Sequence, residues 1–82
     1  MQRNVIEQKL RILFHDLFGI APEELTEASS PDTIPAWDSL QQLNLVVAIE
    51  QEFAISLSDE QIVEMLNFGL VVEIVSAALE AR

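Results

Sequence analysis

With no cysteine and one histidine among its 82 residues, this chain must draw any chemistry from hydroxyls, carboxylates and a single imidazole. Ser39, set in Trp37-Asp38-Ser39-Leu40, is the most promising of these groups. It stands between an acid and a Leu, at the end of an irregular stretch and the opening of an apolar-periodic segment. A hydroxyl at the first position of a helix projects into solvent, and the free N–H groups and positive dipole end favour a phosphate attached there. The same residues also read as an ordinary helix start, with Asp38 as the cap.

Catalysis finds little else to use. Ser39 has no plausible base beside it in sequence and is a poor nucleophile without one. His15 falls one turn before the expected end of the first helix, where a cationic ring complements the dipole; that structural role is preferred over a catalytic one. Acid pairs at helical spacing, Asp59 with Glu60 and Glu60 with Glu64, flank a helix start and read as a solvated face, because polarised carboxyls need burial or a close charge partner. No Gly-rich phosphate loop, metal-spaced His or Cys cluster or EF-hand loop is present, so neither an enzyme nor a metal site is expected.

Fourteen acids against four bases give a formal charge of −10. Such a surface repels nucleic acid phosphate and anionic membrane and suits partners with basic patches. Arg3, Lys9 and Arg11 hold the positive charge near the start, and no Lys or Arg lies between Arg11 and Arg82. Self-repulsion within the acidic body predicts that salt or Mg²⁺ raises the melting temperature. No apolar run is long enough to span a bilayer, and the charged start does not read as a signal peptide, so a cytoplasmic protein is expected. The absence of disulfides leaves packing to hold the fold.

The size suits a single domain over residues 1–82, read as all-α: a small four-helix bundle of three longer helices and one short third helix, with a long loop between helices 1 and 2. The first helix is predicted over about 5–18 from Val5, Ile6, Leu10, Leu13, Phe14, Leu17 and Phe18 at spacings of three and four, with Asn4 as N-cap, Glu7 as its capping-box partner and Gly19 as the stop. From Ile20 to Asp38 the chain carries Pro22, Pro31 and Pro35 and keeps no period. Pro22-Glu23-Glu24-Leu25 suits one helical turn, and Leu25, Ile34 and Trp37 are the candidate anchors of this long connection.

The second helix is expected to begin at Ser39 and to run through Leu40, Leu43, Leu45, Val46, Ile49 and Phe53, an apolar pattern too broad for one face. Phe53 to Leu57 alternates as a strand would, but has no second strand to pair with. It is read as a loop that tucks Ile55 or Leu57 inward. A short helix should follow Ser58, with Gln61 completing a capping box, and end near Asn67-Phe68-Gly69. Leu70 to Ala81 reads as the last helix.

The segment 37–53, WDSLQQLNLVVAIEQEF, resembles the phosphopantetheine attachment region of acyl carrier proteins. The match comprises Asp38-Ser39-Leu40, the aliphatic helix after it and the ending Glu50-Gln51-Glu52-Phe53. It extends to the order of elements along nearly the whole acidic chain. The resemblance implies that Ser39 receives a covalent 4′-phosphopantetheine arm from coenzyme A by a separate phosphopantetheinyl transferase, and that acyl groups ride on the arm as thioesters for acyl-loading and acyl-processing enzymes. It gives Asp38 a part in orienting transferase and metal. Leu40 becomes a contact for the arm or a partner, with a place in the core as its other reading.

Recognition in the family runs along the signature helix, which points to Leu40, Glu50 and Glu52, extended by Asp59 and Glu60 on the short helix. Gln41, Asn44 and Gln51 stand where the resemblance leads one to expect acids, which favours a specialised pathway over housekeeping fatty acid synthesis. An aminoacyl or peptidyl carrier is the alternative; the acidic balance and aliphatic Leu45, Val46, Ile49, Ile62 and Val71 favour acyl groups. A helical interaction module without a prosthetic group is the competing class. A free-standing monomeric carrier is expected.

Overall fold

Helix α1 spans Arg3–Phe18, α2 Ser39–Phe53, α3 Asp59–Val63 and α4 Phe68–Ala81 in the computed structural model, which describes residues 1–81. A single 3-10 turn, Pro22–Glu24, interrupts the connection between α1 and α2, and no strand occurs among the described residues. The all-helical bundle and its one short third helix match the sequence expectation.

α1 packs against both α2 and α4, and the apolar stripes of the three longer helices meet in one core. Ile6, Leu10 and Phe14 enter from α1, Leu45, Val46, Ile49 and Phe53 from α2, and Phe68, Val71, Val72 and Val75 from α4. Phe14 sits at the centre, edge-on to Phe18, Trp37 and Phe68 with ring centroids 5.1–5.3 Å apart. Edge-to-face contact sets the positive rim of one ring against the negative face of another, so these pairs add orientation as well as buried area.

The long connection is tied down. Leu25, Ile34 and Trp37 are all buried, as the sequence suggests. Between them the chain closes successive turns, with the Ile34 N–H donating to the Ser30 carbonyl at 2.8 Å and the Trp37 N–H to the Ile34 carbonyl at 2.9 Å. Arg11 holds the other end of this segment: its Nη1 donates to the carbonyls of Pro22 and Leu25, both at 2.7 Å, while the guanidinium lies 5.1 Å from the centre of the Phe68 ring. One cation thereby joins α1, the loop and α4.

Three boundaries depart from the sequence reading. α1 starts at Arg3, with Gln2 as a cap that makes no side-chain bond, so Asn4 lies inside the first turn and forms no capping box with Glu7. Glu7 instead faces Arg11 at 3.5 Å, and the two added residues bring Arg3 to Glu73 of α4 at 2.8 Å. α3 ends at Val63, well before Asn67.

α4 begins at Phe68 because Asn67 acts as its cap, accepting from the Leu70 N–H at 2.8 Å. Gly69 is therefore a first-turn residue and not a stop. The N–H groups of Phe68 and Gly69 donate to the carbonyls of Ser29 and Glu27, and a Cβ on Gly69 would come within 3.2 Å of Glu27. Gly permits that close backbone approach. At the end of α1, Gly19 takes the left-handed conformation as expected (φ 71°). His15 completes this end by donating from Nδ1 to the Ile20 carbonyl at 3.0 Å.

Both Ile55 and Leu57 turn inward after α2, where the sequence asks for one or the other. The Leu57 N–H donates to Oε2 of Glu50 at 2.9 Å, which fixes the turn. No helix of the described residues is long and apolar enough to cross a membrane.

Candidate functional site

Trp37 fixes the end of the loop, and through it the start of α2. Its indole is 1% exposed, stacked on Phe18 at 5.7 Å and edge-on to Phe14 at 5.1 Å. A buried indole N–H needs an acceptor. Gln42 supplies one: Nε1 of Trp37 donates to its Oε1 at 2.6 Å, and Nε2 of Gln42 donates onward to the Ile62 carbonyl at 3.3 Å. One side-chain amide thus connects the loop, α2 and the turn that ends α3.

Asp38 is the N-cap of α2, its Oδ1 accepting from the Gln41 N–H at 2.9 Å. Ser39 follows as the first helical residue and is exposed, on an anchored backbone whose leading N–H groups have no acceptor one turn back. A phosphate ester on Oγ would stand at the positive end of a 15-residue helix. The residues present therefore suit a phosphate-linked group. Leu40 is 69% exposed, which removes the core reading of this residue.

A groove of about 370 Å³ runs beside Ser39, between the loop, the first turn of α2 and the α3 region. Trp37 and Met65 form its buried lining and Gln42 and Ile62 are half-buried, whereas Pro31, Val63 and Leu66 edge it from exposed positions. A neighbouring depression shares Val63 and is lined by Asp59, Glu60 and Glu64. These three acids are exposed, and none takes part in the ion pairs of the described residues. Arg3, Lys9 and Arg11 each face an acid of this chain elsewhere, so the Ser39 end presents carboxylates among exposed aliphatic side chains.

The expected recognition residues separate into two places. Leu40 starts an exposed stripe on α2 that continues through Leu43 and Val47, and Asp59 and Glu60 lie on α3 beside the groove. Glu50 and Glu52 lie further along α2, about 16 and 20 Å from Ser39 at the helical rise. Glu50 is bonded to the Leu57 N–H, and Glu52 lies 3.6 Å from Lys9. Both acids already serve the fold.

Gln42 was not legible as part of the site, since a lone glutamine on a helix reads as solvent-facing. Val47, Val63 and Leu66 were missed as exposed apolar groups. The second apolar stripe of α2 was the signal for Val47; Val63 and Leu66 carried none, because the sequence reading continues α3 past them. Leu45, Val46, Ile49 and Val71, read as an aliphatic lining, are buried in the core, and Ile62 is half-buried at the groove. Among the described residues no group of acids and histidines is arranged to hold a metal ion.

No protein-family model matches the chain. An acyl carrier protein from Coprothermobacter proteolyticus is 32% identical over 82 residues, covering 100% of both chains. The solution NMR structure of a holo acyl carrier protein from Geobacter metallireducens superposes with a TM-score of 0.82 and 28% identity, over 92% of this chain and 86% of that one.

Proposed function

Because this chain belongs to the acyl carrier protein family, we propose that Ser39 is the residue that bears its 4′-phosphopantetheine arm. The protein is a carrier of acyl groups and not an enzyme. The observation that carries the assignment is the exposed Ser39 hydroxyl on the first turn of α2, where Asp38 caps the helix and buried Trp37 fixes the approach.

In the loading reaction, Ser39 Oγ bonds to the phosphorus that carries the pantetheine in coenzyme A. The pyrophosphate link breaks, the nucleotide half leaves, and the hydroxyl proton passes to the transferase. When bound, the arm supplies a terminal thiol, which this chain lacks, and carries the acyl group there as a thioester. The protein's own part is positional. Asp38 keeps the first turn of α2 formed by accepting from the Gln41 N–H, the positive end of the helix would favour a phosphate on Ser39, and the exposed Leu40 stands beside the attachment point.

The partners are a phosphopantetheinyl transferase and acyl-processing enzymes. Their docking surface is proposed to be Leu40 with the carboxylates of Asp59 and Glu60, read by basic patches. Glu50 and Glu52 are left a smaller part, because their carboxylates already serve Leu57 and Lys9. A cytoplasmic setting, where coenzyme A and the transferase are at hand, goes with this reading. Gln41, Asn44 and Gln51, neutral residues on α2 where acids are expected, support a dedicated pathway over general fatty acid synthesis.

Intact-mass measurement after incubation with a promiscuous transferase, Mg²⁺ and coenzyme A tests the assignment. The wild type should gain one phosphopantetheine and Ser39→Ala none. An unmodified wild type, or a gain retained in the variant, overturns it.

A further inference from the structure

Resting on the carrier reading of Ser39, we propose that Gln42 closes the space between α2 and the α3 region to aliphatic chains, so that this carrier serves short or polar acyl groups held at its surface. Ser39 lies on the edge of the groove, and Trp37, Gln42 and Ile62 lie deeper in it. Any chain passing from that edge towards the core meets the bridge from the Trp37 indole N–H to Gln42 and from Gln42 to the Ile62 carbonyl.

An aliphatic chain cannot replace those partners. To pass, it must part an indole N–H, a carboxamide and a backbone carbonyl, each of which loses more when left unpaired in apolar surroundings than one buried methylene gains. A short acyl group has too few methylenes to offset that loss. A long one must part the bridge before any of its methylenes reaches the buried side chains of the core, such as Phe14, Leu45, Ile49, Phe68 and Val71. Entry would require α2 and the α3 region to spread.

The bridge receives polar groups more readily than it admits a hydrocarbon. One N–H of the Gln42 amide and one lone pair of its Oε1 lie outside the two bonds described, and they match a carbonyl or hydroxyl of the guest. Gln42 is thus a specificity-determining residue for the carried group.

The test loads the full chain from butyryl- and dodecanoyl-coenzyme A with a promiscuous transferase, confirms each product by intact mass, and follows melting temperature and the Trp37 indole N–H resonance. In the wild type both forms should melt within about 1 °C of each other, with the indole resonance unmoved by chain length. Gln42→Met, matched in volume, should melt at least about 4 °C higher with dodecanoyl than with butyryl, a shift that corresponds to measurable burial in a domain of this size. Gln42→Leu stands in if that variant does not fold.

A wild-type dodecanoyl form that gains 4 °C and moves the indole resonance overturns the proposal. So does a Gln42 variant that folds yet shows no chain-length dependence. The wild-type pair decides the question even if both variants fail to fold. If no acyl-pantetheine is added at all, the mass measurement shows that the carrier reading has failed, and this inference falls with it.

Discussion

α3 and α4 both begin at a polar cap, yet they end in opposite roles. α4 buries Phe68, Val71, Val72 and Val75, and its first two N–H groups are bonded to the Glu27–Ser29 segment. α3 buries none of its own five residues, and the apolar side chains that end this region, Val63 and Leu66, are 73% and 63% exposed. The core therefore draws its stability from α1, α2 and α4, while α3 is held by its capping box, by the bond from Gln42 and by buried Met65. Local opening should cost least on the less buried side, where little apolar surface is lost.

The contrast predicts a graded series of effects. Phe68→Ala should cost about 3 to 5 kcal/mol, a large share of a net stability of about 4 to 12 kcal/mol for a chain of this length, and urea denaturation should find its midpoint lowered accordingly. A loss below about 1 kcal/mol would mean that α4 is not the structural wall it is taken to be. Asp38→Ala removes a cap and should cost about 0.5 to 2 kcal/mol while slowing transfer of the arm, read from the rate of mass gain.

Val63→Ala should alter stability by less than about 0.5 kcal/mol, since the side chain is exposed, yet weaken turnover by partner enzymes. A large loss of stability there would erase the distinction between the two helices. Least of all, 100 mM salt or a few millimolar Mg²⁺ should raise the melting temperature by a few degrees through screening of the −10 charge. A flat thermal response would show that the acidic body does not repel itself.

The sequence makes plain whatever depends on spacing along one helix. The start of α2 at Ser39, the Asp38 cap, the capping box of Ser58 and Gln61 and the inward Leu25, Ile34 and Trp37 follow from local rules, and the structure has them all. What depends on distant partners does not show. Asn4 is as good a cap as Asn67 by type, but α1 passes over it and pairs Arg3 with Glu73, whereas Asn67 holds the Leu70 N–H.

Gly69 looks like a stop until Glu27 is seen beside it. Gln42 and Glu50 look solvent-facing until Trp37, Ile62 and Leu57 supply partners 5, 20 and 7 residues away. At the site, the attachment serine and its cap are local and were legible. The groove, the bridge across it and the division of the acids between fold and surface are tertiary and were not.

The central claim is that chemistry on this protein converges on one hydroxyl, the one at the first turn of α2, while other serines such as Ser29, buried within the loop and accepting from the Thr26 N–H, serve the fold. Fragmentation mass spectrometry of the transferase-treated protein measures this directly. It should place phosphopantetheine on Ser39 alone; label at Ser29, Ser30, Ser56, Ser58 or Ser76, or at no serine, would contradict the account.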